Sequence, residues 1–188
     1  IAIGNAAGGE SQQNLAVAIG NQAGQYSQGS GSVAIGSFAG YTGQVDKAIA
    51  IGAFAGCTGQ QNNAIAVGEG AGSNTQQPYA IAIGASAGYE VQGTGSVAIG
   101  ALAGYTGQQN QAIAIGQGAG TNTQQPYAIA IGAGAGYEVQ GTGSVAMGAL
   151  AGYTGQQNQA IAIGQGAGSN TQNAYAIAIG ASAGYEVQ

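Results

Sequence analysis

The sequence predicts an all-β fold: a parallel β-solenoid, or β-roll, of twelve 16-residue coils filling residues 1–188 as a single repeat segment. Three observations predict it. A Gly follows an apolar triplet at Gly4, Gly20, Gly36 and every sixteenth residue on to Gly180, without insertion. An Ala-Gly pair closes the next four residues of every coil, as in Ala55-Gly56 after Gly52 and Ala119-Gly120 after Gly116. A Gln stands eight residues after the first Gly, from Gln12 through Gln60 and Gln124 to Gln188. A fixed period of this length marks stacked supersecondary units.

The strand of each coil is the segment before the first Gly, for example Ala112-Ile113-Ala114-Ile115-Gly116. β-branched residues suit strands, and alternate side chains point to opposite faces. Ile113 and Ile115 therefore share one face, and Ala112 and Ala114 the other. Gly116 and Gly120 are expected to take positive φ or to permit close approach. Between and beyond them the spacing predicts a second short strand around Ala119 and a return turn near Gln124. The Ile/Val face is expected inside the roll, which leaves the Ala column as an outer apolar stripe suited to packing chains together.

One coil cannot stand alone. Ordering it costs roughly 1–2 kcal/mol per residue in backbone entropy, and burying two Ile side chains returns only about 1.5–3 kcal/mol each. Stability must come from stacking in register, at about 4.8 Å per coil. Like residues then form columns, and the Gln column fits an amide ladder of the kind seen in cross-β stacks.

Composition narrows the function. The net charge is −5, with one Lys, no Arg and no His among 188 residues. Phosphate neutralisation has no supply of cations, which excludes nucleic-acid binding. No run of 18 apolar residues exists, so no transmembrane helix and no membrane insertion is expected in this segment. The solitary Cys57 cannot form an internal disulfide. Without a His base or a paired acid and nucleophile, no catalytic residue, cofactor or metal is expected, and the chain is predicted not to be an enzyme. It starts within its motif at Ile1-Ala2-Ile3-Gly4 and reads as a stretch of a longer fibre chain.

A second period lies on the first. Residues 69–116 and 117–164 differ only at Glu69/Gln117, Ser73/Thr121, Ser86/Gly134 and Ile99/Met147. Three coil types therefore alternate in a 48-residue superrepeat, which tandem duplication explains.

The motifs Ser32-Val33-Ala34-Ile35-Gly36 and Ser96-Val97-Ala98-Ile99-Gly100, with their Ala-Ile-Ala-Ile-Gly variants, resemble the head repeat of YadA-like trimeric autotransporter adhesins. They are also similar to repeats of phage and viral surface fibres. The resemblance spans the whole chain. It implies a homotrimer of left-handed rolls, at a cell surface or virion surface. The uniform 16-residue coil is longer than the usual head coil of that family.

The expected structural residues are Gly52, Ala55, Gly56, Gln60, Ile113, Ala114, Ile115, Gly116, Gly120 and Gln124. Tyr89, Tyr105, Tyr137 and Tyr153 share one column and are candidate surface contacts, for a host receptor or a glycan; packing over turns with the hydroxyl in water is the plainer expectation. Tyr79, Tyr127 and Tyr175 form another column. Glu90, Glu138 and Glu186 recur as solvated charges. The expected function is a structural segment of an extracellular fibre; the alternative is an adhesin head binding a host surface or matrix component. An ice-binding face is disfavoured, because Thr121-Asn122-Thr123 recurs only once in three coils.

Overall fold

In the computed structural model, residues 1–186 are described; Gln188, the last member of the predicted Gln column, lies outside them. Among the described residues there is no helix. The strands are β1 (Ala2–Ile3), β2 (Val17–Ile19), β3 (Tyr26–Gln28), β4 (Val33–Ile35), β5 (Thr42–Gln44), β6 (Ile49–Ile51), β7 (Ile65–Val67), β8 (Ile81–Ile83), β9 (Val97–Ile99), β10 (Ile113–Ile115), β11 (Ile129–Ile131), β12 (Val145–Met147), β13 (Ile161–Ile163) and β14 (Ile177–Ile179). All but β3 and β5 form one 12-stranded parallel sheet in coil order, and β3 and β5 pair as a second sheet. Each residue pairs with its counterpart one coil on, as Ile113, Ala114 and Ile115 do with Ile129, Ala130 and Ile131. The chain is thus a β-solenoid of about 11 turns, in the register that the period predicts.

The coil closes through two bends. The first follows Gly116, whose φ of 124° is open to glycine. A Cβ there would lie 2.7 Å from the carbonyl oxygen of Gly132 in the next coil. Ala119 lies in this bend, its N–H donating to the Gly116 carbonyl at 3.2 Å, so the expected strand around Ala119 is a turn. The second ladder lies instead at the Gln column. Gln124 bridges in parallel to Gln108 and Gln140, where a return turn was expected. The second bend comes later, where Ala112 N–H donates to Gln109 O at 3.2 Å. Gly120 lies between bend and ladder with φ 52°.

The interior reverses the expected facing. Ala114, Ala119 and their equivalents from Ala18 to Ala167 are fully buried, while Ile113 and Ile115 stand partly exposed on the outer side of β10. The roll is too thin for Ile. A Cβ added to Gly104 would meet the Ala98 methyl at 3.2 Å and the Gln108 Oε1 at 2.8 Å. One methyl and one amide span the space between the walls, and a branched C4 side chain would overpack it. The Ala column therefore lines the core, and the outer apolar face is made of Ile and Val.

Candidate functional site

Two features stand out from the regular stack: a buried line of glutamines and an outer edge bearing tyrosines. The glutamines complete the core. Gln60, Gln124 and the equivalents from Gln28 to Gln172 are at most 2 % exposed. Burying an amide without partners would cost roughly 1–3 kcal/mol, and here every one finds partners. Gln124 Nε2 donates to Gln140 Oε1 at 2.7 Å and to the Ile113 carbonyl at 3.1 Å. Its Oε1 accepts from Gln108 Nε2 at 3.1 Å. Gln60 repeats the pattern, donating to Gln76 Oε1 at 3.1 Å and to Ile49 O at 2.7 Å. The second Gly of each coil makes room: a Cβ on Gly120 would sit 2.5 Å from Gln124 Cδ, and one on Gly56 would sit 2.6 Å from Gln60 Oε1. The Gly and Gln columns are therefore one device, and the expected amide ladder is present.

The remaining structural residues fall as follows. Gly52 and Gly56 take φ of 129° and 49°, matching the positive φ expected of the two Gly columns. Ala55 and Ala114 are fully buried. Ile113 and Ile115 are on the outside, as described above.

The tyrosines lie on the outer side of the bend after the Ala-Gly pair, half-exposed. Tyr89 and Tyr105 stack with centroids 5.2 Å apart and planes 11° from parallel. Tyr137 and Tyr153 do the same at 5.1 Å and 12°. The four candidate contacts thus pair in twos, one pair per superrepeat. Tyr79, Tyr127 and Tyr175 are more exposed and belong to the opposite bend. In the first coils Phe38 stacks on Phe54 at 5.1 Å, and Tyr26 meets Tyr41 edge-on at 5.2 Å. Desolvation raises the Tyr41 phenol above its ordinary value, with the neighbouring Tyr26 adding to it. Burial likewise raises the Cys57 thiol. Glu90, Glu138 and Glu186 are exposed.

Several residues escaped the sequence argument. Asn110 Oδ1 accepts the Thr94 N–H at 3.0 Å, Asn158 Oδ1 accepts the Thr142 N–H at 2.9 Å, and Asp46 Oδ1 accepts the Ser30 N–H at 2.8 Å. Each carries the Asn or Asp above a coil whose turn begins with Gly29, Gly93 or Gly141. A Cβ on Gly93 would lie 2.5 Å from Asn110 N. The signal was available as a correlation between successive coils. Ser96 and Ser144 place buried hydroxyl oxygens without a partner.

Among the described residues no three His, Cys, Asp or Glu side chains gather as a metal centre would require, and no helix is long and apolar enough to cross a membrane. No family model, curated protein or solved structure matches the chain.

Proposed function

We propose that this chain is a structural segment of an extracellular fibre, on a cell or virion surface, in which three copies pack their Ile/Val faces about a common axis. One observation carries the reading: a continuous apolar face on the outer side of the 12-stranded sheet. Two columns of Ile and Val run its length, and Ile51, Ile83 and Ile163 are 37–39 % exposed in the single chain. At about 4.8 Å per coil and roughly 7 Å across, it approaches 400 Å², the size at which an apolar patch marks an interface. Flat, β-branched and without charge, it suits a second and third copy better than water. Cyclic closure leaves no such face open. The left-handed roll is part of this proposal and rests on the motif resemblance. The non-catalytic role rests on a core of amides and methyls.

Sedimentation equilibrium tests chain number. We expect a trimer at micromolar concentration. Replacing Ile113, Ile115, Ile129 and Ile131 by Ser should shift the mass toward monomer while the strand content in circular dichroism persists. A native monomer, or a four-fold Ser variant that remained fully trimeric, would remove the Ile/Val face from the interface. Imaging of the native particle with an antibody to this segment tests the fibre itself. The adhesin-head alternative is favoured by one observation, the tyrosine-walled notches along one edge of the rod.

A further inference from the structure

The edge bearing the tyrosines has a relief that the superrepeat sets. Two residues decide it in each coil: the one two positions after the first Gly, and the one just after the second Gly. Where the former is Leu102 or Leu150, the next coil has Thr121 or Ser169 in the tyrosine column. Where it is Gly118 or Gly134, the next coil has Tyr137 or Tyr153. The rings lie against the glycines: a Cβ on Gly118 would be 3.9 Å from the Tyr137 ring, and one on Gly134 would be 3.8 Å from the Tyr153 ring and 2.9 Å from Leu150 Cδ2.

The result is a notch of about 530 Å³ over Gly118 and Gly134, walled by Tyr137 and Tyr153, with Leu102 and Leu150 also lining it. Adding 48 to Leu102, Gln117, Gly118, Gly134 and Tyr137 gives Leu150, Gln165, Gly166, Ser182 and Tyr185, which line a second notch of about 580 Å³ that shares Tyr153 with the first. Phe54, Gly70, Ser86 and Tyr89 hold the same positions one superrepeat earlier.

We infer that these notches bind the sugar rings of a neutral polysaccharide, one site per superrepeat. A pyranose offers C–H groups on its face and hydroxyls on its rim. Tyr supplies an apolar ring face with a polar tip. The exposed Gln117 or Gln165 amide beside it donates and accepts hydrogen bonds. Glycine at these positions leaves room for the Tyr rings and for Leu150, which together form the apolar lining.

Charge selects against acidic glycans. Lys47 is the chain's only Lys or Arg, and Glu138 and Glu186 follow directly on the wall residues Tyr137 and Tyr185. A carboxylate- or sulfate-bearing sugar would meet like charge with no counter-charge. Periodicity selects for a polymer. Sites three coils apart repeat every ~14 Å along one line, and weak sites on one rod gain by engaging one chain together. The inference deepens the fibre reading and gives the rod a ligand, but it needs only a single chain's edge.

The test is calorimetric titration of the full chain with neutral gluco-, galacto- and manno-oligosaccharides, with heparin and polysialic acid as acidic comparators. At least one neutral series should bind, more tightly with length, and the acidic ones should not. Tyr137→Ser with Tyr153→Ser should lower the affinity at least tenfold. Ser169 already occupies this column, so the backbone accepts the change, and an unchanged circular dichroism spectrum checks it. Tyr127→Gln, on the opposite bend and matching Gln111 and Gln159, should leave binding as it was. Absence of neutral-sugar binding by the native chain, tighter binding of heparin, or Ser variants that bind like the native chain would each overturn the inference. So would Tyr-dependent capture of a protein without any sugar binding. Sedimentation of the same samples reports the trimer separately, so failure of one reading leaves the other standing.

Discussion

The two sides of each Ile-Ala-Ile strand carry similar chemistry and live under different rules. On the inner side Ala never varies: Ala18, Ala34, Ala114, Ala146 and the rest are all alanine. On the outer side the same strands accept Ile, Val or Met, as at Val67 and Met147. The difference teaches what limits a narrow solenoid. Inside, space and hydrogen bonds are fixed by the facing Gly and Gln columns. Outside, no facing column constrains the side chain within the chain itself, and Ile, Val and Met are all accommodated.

The sharpest way to break the inner side is to charge it. Gln124→Glu keeps the shape but replaces the Nε2 donor, which serves Gln140 and Ile113, by an oxygen. When ionised, that side chain donates nothing and sits as an uncompensated buried charge, which costs about 3–5 kcal/mol. Burial raises its pKa in the folded chain, so the protonated, folded form holds below the ordinary Glu range and stability falls as pH rises through the shifted value. Thermal melts at acid and neutral pH should diverge for this variant and not for the native chain. Equal melts would mean that the ladder is not a closed, dry line.

Gly116→Ala attacks the seam between the two sides. Its φ of 124° is closed to Ala, and the new methyl would overlap the Gly132 carbonyl. We expect a loss of about 3 kcal/mol, from backbone strain and overpacking together. It should be localised, since a solenoid's coils contact only their neighbours. Hydrogen exchange should quicken in β10 and β11 before β4 or β13.

A paired substitution puts the comparison itself to the test. Ala114→Ile enlarges a fully buried position and should cost about 1–3 kcal/mol or more. Ile115→Ala, its neighbour in the same strand, should cost the isolated chain about 1–2 kcal/mol, as it is only partly buried there, and in the proposed trimer it should also weaken chain association. Chemical denaturation measures the first and sedimentation the second. If the two costs were reversed, Ile would be the core residue after all.

Much of this was legible in the sequence. The period fixed the parallel register, the ladder of Gln and the positive φ at Gly52, Gly56, Gly116 and Gly120. Which face turns inward was harder to read, because both faces of the strand are apolar and burial favours the larger side chain when room is available. The cue lay in the variation. An inner position that never exceeds a methyl, set beside an unvarying Gly, reports a contact too tight for Ile, whereas Ile99 and Met147 trade places freely in the superrepeat. The second ladder was displaced from Ala119 to Gln124 because Ala119 follows a glycine that bends the chain at once. The notches were hidden for a different reason: they arise from residues 16 or more apart in sequence, such as Gly118 and Tyr137, and only stacking brings them together.

The smallest expected effect lies at the tyrosine column's one thiol. Cys57 stands where neighbouring coils have Tyr41 and Ser73, partly buried between them. Burial raises its pKa, and the thiolate is the reactive form. At neutral pH its alkylation by iodoacetamide should therefore be slower than that of an unstructured cysteine peptide, and the rate should go on climbing with pH beyond the ordinary thiol range, where that of the peptide has levelled off. The folded state holds this proton more tightly than the unfolded chain, so the linked stability is retained at low pH and declines as pH rises through the raised value. Alkylation as fast as the free peptide would mean that this coil opens readily at its outer edge, unlike the closed ladder behind it.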